Sequence, residues 1–105
     1  MYAVCIIGYG YWGNNLCRNF QNSEFFRITS IVDKKNINLI SAKRKYPTVE
    51  IFNDYKKAIR NSFMDLVVVS SPTSTHFKIS KYALENSKHI LVEKPMCLSL
   101  KEVKI

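Results

Sequence analysis

Apolar and polar positions follow two different periods along the chain, and the changes between them mark out its elements. Ala3-Val4-Cys5-Ile6-Ile7 is a continuous apolar run that stops at Gly8. Unbroken apolarity over so few residues predicts a strand covered on both faces, as in a parallel sheet between helices. The period then changes, with Trp12, Leu16 and Phe20 at every fourth position and Asn15, Arg18 and Asn19 between them. This spacing predicts an amphipathic helix with one face on the sheet. Arg27 to Val32 reads as a second strand that ends at Asp33. A helix with Ile37, Ile40 and Arg44 at its turns follows, and Pro47 stops it.

Val49 to Phe52 is short and interrupted by a polar residue, which suits an outer strand, and Asn53 or Asp54 is placed to cap a brief helix through Ile59. Leu66-Val67-Val68-Val69, uninterrupted and mostly β-branched, gives the strongest strand signal and belongs at the sheet centre. Ser71-Pro72-Thr73 makes a turn, Ser74 or Thr75 offers a cap, and Ile79, Ala83 and Leu84 supply the buried side of the next helix. His89 to Val92 is a fifth strand running into Glu93-Lys94-Pro95. Ser99 and Glu102 have capping-box spacing, so a further helix begins there and is unfinished at Ile105. Alternating strands and helices with short links require right-handed crossovers and a parallel sheet, here a doubly wound α/β domain of strand order 3-2-1-4-5.

Chemistry enters at Gly8-Tyr9-Gly10-Tyr11-Trp12-Gly13, a GxGxxG pattern between the first strand and first helix that holds all three glycines of the chain. In that context the first glycine permits the tight turn, the second admits a pyrophosphate against the backbone, and the third lets helix and strand pack closely. Tyr11 and Trp12 open the helix, whose N-terminal N–H groups and dipole favour phosphate. The domain is therefore Rossmann-type, incomplete at its C-terminus. Asp33 follows the last glycine by about twenty residues, where a carboxylate accepts hydrogen bonds from the adenosine ribose. That favours NAD. A 2′-phosphate is repelled by Asp33, but Lys34 and Lys35 beside it offset the repulsion in part, so NADP stays open.

Ligands of open parallel sheets lie beyond the carboxyl ends of the strands, so Ser70, Ser71, Pro72 and Thr73 after the fourth strand and Glu93, Lys94 and Pro95 after the fifth should face the cofactor. His76, one turn into the helix that follows, has two readings: a cofactor contact, or a neutral histidine capping backbone. His89 begins a strand at the opposite edge and is structural.

A net charge of +8 raises the possibility of nucleic-acid binding, but the lysines and arginines are scattered and match no RNA-binding or zinc-finger pattern. A basic solvated surface is the expectation. Cys5, Cys17 and Cys97 are odd in number and never at CxxC spacing, which suggests neither a disulfide framework nor a metal site. No apolar run approaches the roughly 20 residues that span a bilayer, and Met1 to Ile7 lacks a basic, cleavable leader, so no membrane partner and a cytoplasmic location are expected.

The glycine fingerprint, Ser71-Pro72-Thr73 with His76, and Glu93-Lys94-Pro95, in this order, resemble the N-terminal domain of the Gfo/Idh/MocA family of oxidoreductases. The likeness spans nearly the whole chain. Gly10 to Phe20 looks most like the sugar and sugar-nucleotide dehydrogenases of surface-polysaccharide synthesis. The resemblance implies that Lys94 lies beside the nicotinamide and the substrate hydroxyl and assists proton removal while hydride passes to NAD. A lysine partly desolvated beside a positive ring is suited to that role. Glu93 would orient the loop and Pro95 fix its backbone. Family members are at least twice this length and add a substrate domain, so residues 1–105 are expected to form a partial dinucleotide-binding domain that takes a sugar-type substrate only when a second domain is supplied. An exposed fifth strand would favour low stability or self-association.

Overall fold

The computed structural model describes residues 1–71 and 73–92. Five strands, β1 (Tyr2–Ile7), β2 (Phe26–Val32), β3 (Glu50–Phe52), β4 (Leu66–Val69) and β5 (His89–Val92), form one sheet of order β3-β2-β1-β4-β5. Every pairing is parallel, as anticipated. Between the strands run α1 (Tyr11–Gln21), α2 (Asn36–Lys45), α3 (Tyr55–Asn61) and α4 (His76–Glu85). The reversal of strand order falls between β1 and β4, where connections leave toward opposite faces and open a crevice at the carboxyl ends. The middle strand is β1; β4, with the strongest apolar signal, lies beside it with a neighbour on each side.

Successive side chains of a strand point to opposite faces, and β1 divides accordingly. Val4 and Ile6 join Cys17, Ala42, Tyr46 and Val49 on the α1–α2 side. Cys5 and Ile7 join Ala58, Ile59, Ile79 and Ala83 on the α3–α4 side. Both faces are covered, which is why the run lacks alternation. In β2, Ile28 and Ile31 share the α1–α2 layer although three positions apart. A bulge accounts for this: Val4 pairs with Ile28 and Cys5 with Ser30, which leaves Thr29 extra. The bulge shifts the alternation by one residue. The hydroxyl of Thr29 donates to the Phe63 carbonyl at 3.2 Å.

Two expected faces are corrected. Ile37 and Ile40 are exposed, and α2 instead buries Leu39 and Ala42, with Tyr46 just beyond its end. Spacings of three and four make Leu39, Ala42 and Tyr46 one stripe, whereas Ile37 and Ile40 lie off it. On α4 the buried residues are His76, Ile79 and Ala83, and Leu84 is left 38% exposed. Asp54 caps α3, accepting from the Lys56 N–H at 3.0 Å. Thr75 is the N-cap of α4 without a side-chain cap bond, and its hydroxyl meets that of Ser71 at 2.7 Å. The helix expected from Ser99, and Cys97, lie outside the described residues. Among the described residues no helix is long and apolar enough to cross a membrane.

Cys5 and Cys17 are free and fully buried. Burial pushes both thiols up to about 12 from an ordinary 9.0, with Ser30 beside Cys5 and Lys45 near Cys17 opposing the rise in part. The folded state therefore keeps protons that the unfolded chain releases, and this stabilisation is whole below about pH 9 and lost as pH rises toward about 12. The urea midpoint should hold steady up to about pH 9 and fall above it, a trend that conversion of both cysteines to alanine reduces. Native-state alkylation read by mass spectrometry should leave Cys5 and Cys17 unmodified until denaturant is added.

Candidate functional site

The end of β1 is tied down before any ligand is considered. Gly8 has φ of 97°, a left-handed conformation that glycine adopts freely, and its N–H donates to the Val32 carbonyl at 2.7 Å. From β4, the Ser70 N–H donates to the Ile7 carbonyl at 2.8 Å and the Ser70 hydroxyl to the Gly8 carbonyl at 2.6 Å. A Cβ on Gly8 would fall 2.6 Å from the Ser71 nitrogen, and one on Gly13 would run into the Gly8 carbonyl. The first and third glycines are thus required by the packing of strand, loop and helix. Gly10 differs: a Cβ there would meet nothing within 4 Å.

Gly10 is the N-cap of α1 and makes no side-chain cap bond. The helical ladder begins with the Asn14 N–H donating to the Gly10 carbonyl at 3.0 Å. The groups ahead of it lie at the positive end of the helix dipole. Space over Gly10 and this pole together make a cradle for phosphate oxygens.

Asp33 stands across the crevice at the end of β2. Its Oδ2 accepts from the Tyr9 N–H at 2.8 Å and the Asn38 Nδ2 at 3.1 Å, and its Oδ1 accepts from the Lys35 N–H at 2.8 Å. One carboxylate thus binds the glycine turn to the start of α2. A carboxylate offers about four lone-pair sites, and the one left open is on Oδ1. The crevice holds a cleft of about 670 Å³ whose wall includes Gly8, Gly10, Asp33, Lys34 and Ser71. Four lysines, Lys34, Lys35, Lys56 and Lys78, face two aspartates, Asp33 and Asp54, around it. The size, the excess of positive charge and the glycine cradle fit a dinucleotide with an anionic pyrophosphate. Among the described residues no three His, Cys, Asp or Glu side chains gather to hold a metal ion.

The remaining anticipated residues divide. Gly13 packs beneath the turn. Tyr11 is 76% exposed and does not line the cleft, and Trp12 follows it as the second residue of α1. Thr73 begins a 3-10 turn ahead of α4. His76 is 2% exposed, and its Nε2 lies 2.7 Å from the Ser71 carbonyl. That backbone contact, one of its two readings, braces the loop after β4. His89 begins β5 at the far edge, next to Tyr2, Phe26, Asp65 and Leu66, as expected. Pro72, Glu93, Lys94 and Pro95 lie outside the described residues.

Ser70, expected at this edge with the loop after β4, lines the cleft; sequence reasoning missed Asn38, Thr75 and the Asn53 to Lys56 segment, which line it too. Asn38 carries no signal in the pattern, because its role depends on how α2 lies against Asp33.

Residues 2–105 match the family model of the Gfo/Idh/MocA proteins, described as an oxidoreductase family with an NAD-binding Rossmann fold. The uncharacterized oxidoreductase YdgJ of Escherichia coli is 31% identical over 105 residues, covering 96% of this chain and 29% of YdgJ. The structure of scyllo-inositol dehydrogenase from Lactobacillus casei with bound NAD(H) and scyllo-inositol superposes with a TM-score of 0.90 at 23% identity, over 98% of this chain and 31% of that one. The WlbA dehydrogenase of Bordetella pertussis, in complex with NADH and UDP-GlcNAcA, gives a TM-score of 0.89 at 19% identity, over 96% of this chain and 30% of that one. The chain thus spans about three tenths of the length of these proteins. With that match over residues 2–105 and a glycine turn locked at the switch point of its parallel sheet, the chain belongs to the Gfo/Idh/MocA oxidoreductases and carries their NAD-binding Rossmann fold.

Proposed function

We propose that this chain holds NAD for hydride transfer from a sugar-type hydroxyl, and that turnover requires a substrate-binding domain to act with it. The observation that carries the reading is the cleft itself, where the Gly8–Gly13 turn, the α1 N-terminus and Asp33 meet at the carboxyl ends of β1 and β2. Gly10 and the first turn of α1 would receive the pyrophosphate, and the open site on Asp33 Oδ1 a ribose hydroxyl. NAD, when bound, supplies the hydride acceptor. Lys94 is assigned the hydroxyl proton as hydride leaves the carbon that bears it, and Glu93 orients the loop, as the Glu-Lys-Pro motif implies. A sugar or sugar-nucleotide substrate draws support from the scyllo-inositol and UDP-GlcNAcA complexes of the two structural neighbours. The free, buried thiols fit a cytoplasmic location. A second reading, NAD held without turnover, draws on the same cleft.

Calorimetric titration of the folded chain separates these possibilities from an inactive remnant. NAD should bind with a Kd between about a micromolar and a few millimolar, and Asp33→Ala should weaken it roughly tenfold or more by removing a charged acceptor. No heat from a chain shown to be folded would overturn the cofactor assignment. Dehydrogenase turnover with sugar substrates, absent from the chain alone and restored by an added substrate domain, would favour the enzyme over the simple binder.

The glycines provide an internal control. Gly10→Ala should leave the melting temperature unchanged or slightly raised while NAD binding drops, because its Cβ meets only the space the pyrophosphate would fill. Gly13→Ala should lower the melting temperature by several degrees, roughly 1–3 kcal/mol from forcing helix and turn apart. Equal thermal effects in the two variants would contradict the cradle. Leu91, 45% exposed on β5, offers apolar surface for self-association. Sedimentation should then show concentration-dependent mass that Leu91→Lys reduces.

A further inference from the structure

Asn38 lies on the first turn of α2, half-buried and on the cleft wall, and nothing in the fingerprint motif points to it. Its Nδ2 donates to Asp33 Oδ2 at 3.1 Å. An ionised carboxylate only accepts, so the amide must turn its NH2 group toward Asp33 and its carbonyl away. That carbonyl has no hydrogen-bond partner among the described residues. Asp33 Oδ1 likewise has one open site, because the Tyr9 and Lys35 N–H groups and Asn38 occupy the others. Asp33 and Asn38 both line the cleft, so one charged and one neutral acceptor border it at the end of β2.

We infer that Asn38 is a cofactor-specificity residue: with Asp33 it forms a paired acceptor for the two vicinal hydroxyls of the adenosine ribose, and its carbonyl refuses a 2′-phosphate. This rests on the cofactor reading of the cleft. The chemistry is one of matched polarity. A ribose diol brings two donors to two acceptors, whereas a 2′-phosphate brings only acceptors and negative charge to a carboxylate and a carbonyl. Lys34 and Lys35 pull the other way, since both line the same cleft and carry the charge that would welcome the phosphate. Preference for NAD is then a balance in which Asn38 acts twice, as an acceptor and by holding the carboxylate of Asp33 in place. Removing it tips the balance toward the lysines.

The test is the ratio of NAD to NADP affinity, measured by titration of the folded chain and two variants. Wild-type protein should prefer NAD. Asn38→Ala should weaken NAD roughly three- to tenfold while NADP changes little, so that the preference narrows. Asn38→Asp keeps the shape, and an acidic residue in the first turn suits the helix dipole. It gives up the donor to Asp33, so the melting temperatures of both variants are read alongside to show that they fold. It adds a second negative charge beside Asp33 and should cut NADP binding more than NAD binding, so that the preference widens. A structural role alone would move both nucleotides together. Equal weakening of the two in both variants, or no change in either, would overturn the assignment of Asn38 while leaving wild-type NAD binding intact. Failure of wild-type protein to bind either nucleotide would instead overturn the cofactor reading beneath it.

Discussion

Everything functional in this domain depends on how the chain is fixed as it leaves β1. At Gly8 the backbone turns through a left-handed conformation and is gripped by Val32 on one side and Ser70 on the other. Neighbouring strands supply these partners only because all of them run parallel and end at the same edge. The sheet therefore acts as a jig for the turn. Asp33 adds the last restraint by accepting from the Tyr9 N–H. A flexible loop would lose the entropy of ordering on meeting a phosphate; this one has lost it on folding, so binding has less to overcome.

That restraint carries a cost in freedom elsewhere. Gly13 must stay small because the Gly8 carbonyl lies against it, and the Gly8 carbonyl is where it is because Ser70 holds it. Ser70 has its place because β4 is packed against β1 on one side and β5 on the other. His76 extends the chain of support to α4 by meeting the Ser71 carbonyl. The polar residues around the cleft thus fall into two kinds. Ser70 and His76 satisfy backbone and keep the loops in position, while Asp33, Asn38 and the lysines leave chemistry available to a ligand.

Most of the architecture was legible in the sequence, and the reason is local. Runs such as Ala3 to Ile7 and Leu66 to Val69 are apolar on both faces, and only a parallel sheet covered by helices accommodates them. The glycine fingerprint carries its own mechanism, so Gly8, Gly10 and Asp33 were identifiable by spacing alone. What failed was the orientation of surface helices. Ile37 and Ile40 looked like core residues, yet Leu39, Ala42 and Tyr46 form the stripe that reaches the sheet. A short, mostly polar helix has several nearly equal apolar faces, and tertiary packing chooses between them. Asn38 was invisible for a related reason: its partner is near in sequence, but the contact exists only once α2 has settled against the end of β2.

The extra residue in β2 has a consequence for reach. β1 has six residues and β2 has seven, yet the two begin level at Tyr2 and Phe26 and finish level at Ile7 and Val32. Thr29 absorbs the difference in length. Without that slack, Ile7 would pair with Ile31, and Asp33 would stand one residue, about 3.3 Å, further along the strand axis than Gly8. The same one-residue slip would also turn the Asp33 side chain to the opposite face of the sheet. The bulge works as a vernier: a single unpaired residue in mid-strand brings the carboxylate and the glycine turn to the same height at the mouth of the cleft.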